Sequence, residues 1–506
     1  MAPDPAALSL PEAGILDTDC ILGPPPPADL QLRGLASDSR EVRSGYLFAA
    51  LRGSASHGAD HVGEAARRGA GLALASPAGA LRALDRNGRL PLPVLVDPEP
   101  RRRLAFLANR FWPSAPAVRV AVTGTNGKTS TVEFLRQIWN HAGIVGASVG
   151  TLGVSAPGGG WPGGLTSPDP ISLHRWLARL QGEGVTHVAL EASSHALAQA
   201  RLDAFAPSVA AMCSFSRDHL DYHGDIDAYA EAKLRLFREL LVPDGSAAAD
   251  VDSPVGKLAV QLASARGGSA VPVGVGADAA AGIRILRAKA QGQGGRLRLA
   301  HAGKTREISV PVVGAFQLKN ALLAAAVAIL AGLPADAAFA ALPRLRTVRG
   351  RMEPAARLPN GASVYVDYAH TPDALAAALR AGREQVGDGR LTALVGAGGE
   401  RDRGKRALMG AVAAKLADRV VIADDNPRSE DPGRIRDDIR KGAPAAEAVG
   451  DRREAIRLAM AELSTGDLLL VTGKGHEQVQ ETAEGRRPFD DVEVVRALAQ
   501  AGSFAT

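Results

Sequence analysis

Ten consecutive residues, Ala121 to Ser130, read AVTGTNGKTS and combine the groups that a chain of phosphates needs. Gly124 and Gly127 let backbone N–H groups approach phosphate oxygens, Lys128 supplies a cation for the β- and γ-phosphates, and the Thr129 hydroxyl can reach Mg²⁺. Thr125, Asn126 and Ser130 complete the loop. The pattern is a shortened form of the full phosphate loop, because Val122 stands where the first glycine would be. The flanks support the reading: the β-branched run VRVAVTG precedes it and TSTVEFLRQIWNHAG follows. That succession predicts strand, loop and helix, with the positive helix end turned toward the anion.

Other polar groups stand at the ends of apolar runs. Glu191 closes VTHVALEA, a buried-strand pattern, where a carboxylate serves either as a hard oxygen ligand for Mg²⁺ or as a helix N-terminal acid. His219 lies in a short turn with Asp218 and Asp221, and Lys233 lies in AYAEAKLRLF. Spacing alone makes the first a surface polar cluster and the second a solvated lysine. Asn320 opens the helical run NALLAAAVAILAGL, the ordinary place for a cap. Asp425-Asn426-Pro427-Arg428 reads by itself as a turn.

The elements that must carry these groups alternate regularly. After GPPPPA, a helical pattern in HVGEAARRGA and a buried-strand pattern in LPVLV predict a small α/β domain over 1–116. FWPSAPAVRV forms a Pro-punctuated junction, and a second domain over 117–347 alternates strand and helix in the rhythm of a doubly wound parallel sheet. The alternation restarts after PRLRTVRGRMEP with SVYVDYAH, ALAAALRAGREQ, LTALVGAG, RVVIADDN and DLLLVTGKG, predicting a third, Rossmann-like α/β domain over 348–506. A chain of 506 residues fits about three domains.

Composition narrows the field. The chain is 46% hydrophobic and 22% charged, as in globular proteins, with no apolar run long enough to span a bilayer. The opening MAPDPAALSLPEAG lacks the basic and apolar regions of a secretory signal, so a cytoplasmic protein is expected. A net charge of +5 without a long basic run argues against nucleic acid as the partner. Cys20 and Cys213 have no metal-type spacing and are expected to be reduced structural thiols.

TGTNGKTS resembles the loop of the Mur ligase family, which includes the related folate polyglutamate synthetases. EASSH from Glu191, SRDHLDYH from Ser216, DYAHTPD from Asp367 and DNPR from Asp425 follow in the order expected of its diaminopimelate-adding members. The resemblance runs from Ser37 to Glu477. It implies an ATP-dependent amide ligase that joins meso-diaminopimelate to UDP-N-acetylmuramoyl-L-alanyl-D-glutamate through an acyl phosphate. It also implies about two Mg²⁺ ions, held by Thr129, Glu191, His219 and Lys233. For Lys233 it implies a CO₂-derived carbamate, an anion in place of a cation and so an oxygen ligand. Lys128, Lys233, His219 and Arg351 are the implied catalytic set.

The same resemblance assigns the substrate ends. Asn320 matches the asparagine that contacts adenine, although Gln317 departs from the asparagine common there. Arg351 and Asp367 match an arginine and an aspartate that contact ATP, with structural ion pairing as the competing explanation. Ser37, Ser39, Ser54, Ala55 and Ser56, with GYLF from Gly45, match the N-terminal uridine-diphosphate pocket, though turn chemistry also accounts for them. Thr166, Ser167, Ser193, Gln199 and Arg201 match positions that hold the muramoyl dipeptide, Arg201 as a carboxylate clamp. The distal ammonium and carboxylate of a diamino acid need a cationic fork, amides and an acceptor. Arg401, Asp425, Asn426, Pro427, Arg428, Gly473 and Glu477 match those needs, whereas lysine-adding relatives lack the DNPR arginine. His370 is expected to orient groups or to be a satisfied loop histidine. A monomer is expected. A lysine-adding or folate-type ligase and a nucleotide-gated binding module are the alternatives.

Overall fold

A computed structural model of the chain describes residues 5–17, 19–53, 56–278, 282–292 and 294–502. They form two compact units, each assembled from separate stretches of sequence: residues 1–123, 144–210 and 232–245 in the first, and 124–143, 211–231 and 246–506 in the second.

The first unit holds a five-stranded sheet in the order Ile21–Leu22, Val94–Val96, Leu72–Ala75, Tyr46–Ala49, Gly34–Ala36. Its strands are short and almost wholly buried, which explains why they read as apolar runs rather than alternations. Leu47, Leu72, Leu74 and Leu95 pack with Leu104, Leu107 and Phe111 of the helix Pro100–Phe111 and with Ile171 and Ala178 of the helix Pro170–Gly182. The unit also contains the parallel strands Gly146–Gly150, His187–Glu191 and Val118–Thr123, in that order. Two antiparallel strands, Gly153–Ala156 and Gly159–Trp161, extend their outer edge.

The second unit carries the helix Lys128–His141, which packs on the helix Ala315–Leu330. The latter is apolar on nearly every face and lies over the parallel strands Ser246–Asp250 and Ala270–Gly274. Strands Ile283–Gln291, Gly294–His301 and Lys304–Val310 continue that sheet as an antiparallel meander. A separate six-stranded sheet runs in the order Glu353–Arg357, Ser363–Asp367, Leu468–Thr472, Leu391–Val395, Arg419–Ala423, Glu447–Val449. All of its pairings are parallel except the first. Its two faces are covered by separate apolar clusters, the arrangement expected of a Rossmann-like sheet. Among the described residues no helix is long and apolar enough to cross a membrane.

Candidate active site

The phosphate loop has the predicted setting. The strand Val118–Thr123 ends at its start, and the helix begins at Lys128 with Gly127 at its N-cap in a left-handed conformation, φ +95°. A Cβ on Gly127 would lie 2.4 Å from the Asn320 Oδ1, so only glycine lets the loop and Asn320 approach this closely. Lys128 Nζ donates to the carbonyls of Gly124 and Thr125 at 2.9 Å each. Thr125 anchors the loop: its N–H donates to the Ser214 carbonyl at 2.7 Å, and its hydroxyl meets Ser216 O and N at 3.0 Å. The Tyr229 hydroxyl also donates to Thr125 Oγ1 at 3.1 Å. Tyr229 is buried, and burial holds its phenol protonated well above the usual range. Sequence reasoning missed this support, because a tyrosine one hundred residues from the loop leaves no local signal.

Asn320 is buried within its helix and donates to Gln317 Oε1 at 3.3 Å. The departure at Gln317 thus puts a second amide against the expected adenine contact. Arg351 Nη2 donates to the Thr129 hydroxyl at 3.1 Å, and its guanidinium lies 4.4 Å from the centre of the Tyr368 ring. Asp367 accepts N–H bonds from Met352 at 2.7 Å and Ala369 at 2.8 Å. Burial pushes its carboxyl up to about 6, against the pull of Arg351 and the two N–H groups. His370 has Nδ1 2.9 Å from Tyr368 O, and burial with Lys405 nearby lowers its pKa to about 4. It is neutral at pH 7.

His219 takes a left-handed backbone, φ +52°, and is 41% exposed in its side chain. Its Nε2 lies 3.4 Å from Asp218 Oδ2. Burial acts to raise the Asp218 carboxyl, but His219, His370 and Lys405 bring it below its ordinary value. Sequence reasoning passed over Lys405, whose own pKa is lowered by burial.

In the first unit, Glu191 is buried and ends its strand in register with Val122. Thr151 holds the carboxylate, donating N–H to Oε1 at 2.8 Å and its hydroxyl to Oε2 at 3.2 Å. Thr151 also reaches Thr166 Oγ1 at 3.2 Å. Ser167 Oγ donates to Glu191 O at 2.6 Å and lies 3.1 Å from Ser193 Oγ, while Arg201 donates to Ser167 O at 3.1 Å and to Gln199 Oε1 at 2.6 and 3.0 Å. Thr166, Ser167, Ser193, Gln199 and Arg201 therefore form one polar cluster with Glu191. Lys233 is 1% exposed, which removes the solvated-lysine reading; it lies just before the π-helical turn Leu236–Leu240. Among the N-terminal serines, Ser39 is buried with its hydroxyl donating to Glu64 at 2.8 Å, whereas Ser37 and Ser56 are exposed. Ser54 and Ala55 lie outside the described residues.

The residues expected to meet a diamino acid converge from three loops of the six-stranded sheet, those after Leu391–Val395, Arg419–Ala423 and Leu468–Thr472. A Cβ at Gly398 would lie 3.0 Å from Arg428 Nη1 and 3.8 Å from Arg401 Cγ. Arg428 has φ +53° and donates to Glu481 Oε2 at 3.0 Å and Gly399 O at 2.7 Å. A Cβ at Gly473, φ +109°, would lie 2.3 Å from Asp425 Oδ2, so glycine is required there. Pro427 is buried, and its carbonyl would be 2.0 Å from a Cβ at Gly399. Asn426 Nδ2 donates to Glu477 Oε2 at 2.6 Å. Lys474, which sequence reasoning left aside, is fully buried among these groups.

A glycine-bearing phosphate loop at the start of a helix, on parallel strands, together with a Rossmann-like sheet whose loops gather cations and carboxylates, defines a nucleotide-dependent α/β enzyme of several domains. Residues 31–112, 122–328 and 350–475 match the family models described as the Mur ligase family catalytic domain, the Mur ligase middle domain and the Mur ligase glutamate ligase domain. The UDP-N-acetylmuramoyl-L-alanyl-D-glutamate–2,6-diaminopimelate ligase of Chelativorans sp. (strain BNC1) is 45% identical over 465 residues, covering 92% of this chain and 94% of its own. The protein of the same description from Caulobacter vibrioides is 45% identical over 477 residues, covering 93% and 96%. The chain belongs to the Mur ligase family. A solved structure of a ligase of that description superposes with a TM-score of 0.67 at 30% identity, covering 98% of this chain and 99% of that one. Folylpolyglutamate synthase from Mycobacterium tuberculosis, at 20% identity and a TM-score of 0.61, covers 81% of this chain and 95% of its own and shares the fold.

Proposed function

We propose that this chain is the ATP-dependent ligase that adds meso-diaminopimelate to UDP-N-acetylmuramoyl-L-alanyl-D-glutamate in peptidoglycan synthesis, acting in the cytoplasm as a monomer. The observation that carries the reading is the gathering of Arg401, Asn426, Arg428, Gly473 and Glu477, a set with both a cationic fork and a carboxylate, as a distal ammonium and carboxylate require. Relatives of that description match the chain over 92–94% of its length. We read residues 1–116 as the UDP-precursor domain, 117–347 as the ATP domain and 348–506 as the amino-acid domain.

The γ-phosphorus of ATP is attacked by the D-glutamyl carboxylate; ADP leaves and an acyl phosphate forms. The amine of diaminopimelate then attacks the acyl carbon, phosphate leaves, and the nitrogen loses a proton to give the amide. Lys128 holds the β- and γ-phosphates and Arg351 neutralises charge on the transferred group. Asn320 and Asp367 position the nucleotide. Ser37, Ser39, Ser54, Ala55 and Ser56 take the uridine diphosphate, and Thr166, Ser167, Ser193, Gln199 and Arg201 hold the peptide whose carboxylate reacts. The buried carboxylate of Glu191, oriented by Thr151, suits a hard cation. Glu191 and Lys233 as its carbamate in the first unit, and Thr129 and His219 in the second, are the residues that would each ligate Mg²⁺, which supplies charge neutralisation when bound.

The test is phosphate release with a panel of amines. Purified protein with ATP, Mg²⁺ and the UDP-dipeptide releases phosphate with meso-diaminopimelate, at least ~30-fold faster in kcat/KM than with L-lysine. Equal use of lysine would overturn the substrate assignment, and release in the absence of any amine would point to a nucleotide switch instead.

A further inference from the structure

The most deeply buried cation of the second unit beside the proposed amine pocket is Lys474, at 0% exposure. A lysine buried to this degree ordinarily must find a partner for each of its three N–H bonds. Here Nζ donates to Val479 O at 2.7 Å, Asn426 Oδ1 at 2.9 Å and Glu477 Oε2 at 3.3 Å. The Asn426 amide is thereby oriented: Oδ1 accepts from Lys474 and from the Glu481 N–H at 3.0 Å, so Nδ2 must face Glu477, to which it donates at 2.6 Å. Glu477 and Asn426 come from different loops, 51 residues apart, and Lys474 is the group that touches both.

We infer that Lys474 is a positioning residue for amine recognition, orienting Asn426 and keeping Glu477 an ionised acceptor for the distal ammonium of the diamino acid. The inference rests on the proposed function and deepens it at the same site. Electrostatics give the reason such a group is needed. Burial and the neighbouring Asp425 push the Glu477 carboxyl up, and Lys474 with the Asn426 amide pulls it back. Tyr368 and Arg452 also interact electrostatically with it, and His476 precedes it in the chain. Of these, Lys474 alone is both cationic and hydrogen-bonded to the Glu477 carboxylate. A protonated Glu477 would lose its charge toward an ammonium, so removing Lys474 weakens amine binding most at low pH.

The experiment is the pH dependence of kcat/KM for meso-diaminopimelate in wild type, Lys474→Met, Lys474→Arg and Glu477→Gln, with KM for ATP measured alongside. In Lys474→Met the acid limb moves up by about one pH unit or more, and KM for diaminopimelate at pH 7 rises about tenfold or more. Meanwhile kcat at saturating amine and KM for ATP change less than ~3-fold. Lys474→Arg keeps the limb within about half a unit of wild type, and Glu477→Gln abolishes it. A pH-independent loss in Lys474→Met shows a purely structural lysine and overturns the inference. If Lys474→Met does not fold, the other two variants decide: a limb that persists in Glu477→Gln, or moves upward in Lys474→Arg, overturns it equally. Wild type that turns over no diaminopimelate at any pH overturns the functional reading and this inference with it, a result distinct from an unmoved limb in an active enzyme.

Discussion

Arg428 shows how one residue can serve structure and specificity together. Its Nε and Nη1 tie the DNPR turn to Glu481 and Gly399, while a guanidinium has five donors in a planar fork. The distal carboxylate of diaminopimelate is the group that lysine lacks, so Arg428→Ala should lower the ratio of kcat/KM for diaminopimelate over lysine. Removing a charged partner from a buried carboxylate costs about 2–5 kcal/mol, or ~30-fold to several thousand-fold. An unchanged ratio in a folded variant would leave Arg428 as a turn residue and move the search to Arg401 and Glu477. Lys233 makes a second case. Its burial sets it apart from a solvated surface lysine, and the proposed carbamate, an anion, would serve there as an oxygen ligand for a metal ion. Lys233→Ala is expected to be nearly inactive and to regain part of its activity with a small added carboxylate; full activity without rescue would sink the carbamate. Both residues were marked in the sequence by the family resemblance alone, since spacing made Lys233 a solvated lysine and Arg428 part of a turn. Thr151, Tyr229 and Lys474 were not, because each acts on a group brought near by folding rather than on a sequence neighbour.

At the scale of elements, the helix Pro170–Gly182 starts as its sequence directs, with Asp169 accepting from the N–H groups of Ile171 and Ser172 and Pro170 in the first turn. Its inner face carries an unexpected group, His174, which is 2% exposed with neither ring nitrogen hydrogen-bonded. Burial, aided by Arg119, lowers its pKa to about 4. Above pH 6.5 the ring is neutral whether the chain is folded or not. Below that, the unfolded chain takes up a proton that the folded one refuses until about 4, so stability falls as pH falls through this window. The full effect is about 3 kcal/mol. His174→Leu should therefore narrow the loss of denaturation midpoint between pH 7 and pH 4.5, although His370 and His476 will retain part of it. Parallel curves for wild type and variant would show that His174 titrates freely in the folded protein. The antiparallel meander from Ile283 to Val310 was also not anticipated, although Arg296-Leu297-Arg298-Leu299 carries the alternation of a half-buried strand.

For the whole molecule, the two units divide the proposed work by residue. The first holds Thr166, Ser167, Glu191, Ser193, Gln199, Arg201 and Lys233, and the second holds the phosphate loop, His219, Asn320, Arg351, Asp367 and the amine pocket. Neither unit is a continuous stretch of chain, and composition gives no sign of that interleaving. What the sequence determined by itself was local: the strand, loop and helix around Lys128, the alternation that makes α/β layers, and the order of motifs that marks the family. These depend on spacings of a few residues and on backbone conformations that glycine and proline control. Tertiary structure decided which of the marked groups meet. Thr151 is 40 residues from Glu191, Tyr229 is 104 from Thr125, and Lys474 is 48 from Asn426, yet each pair is hydrogen-bonded. Such contacts arise because a parallel sheet sends successive strand ends to one edge, where buried polar groups must satisfy one another across loops remote in sequence.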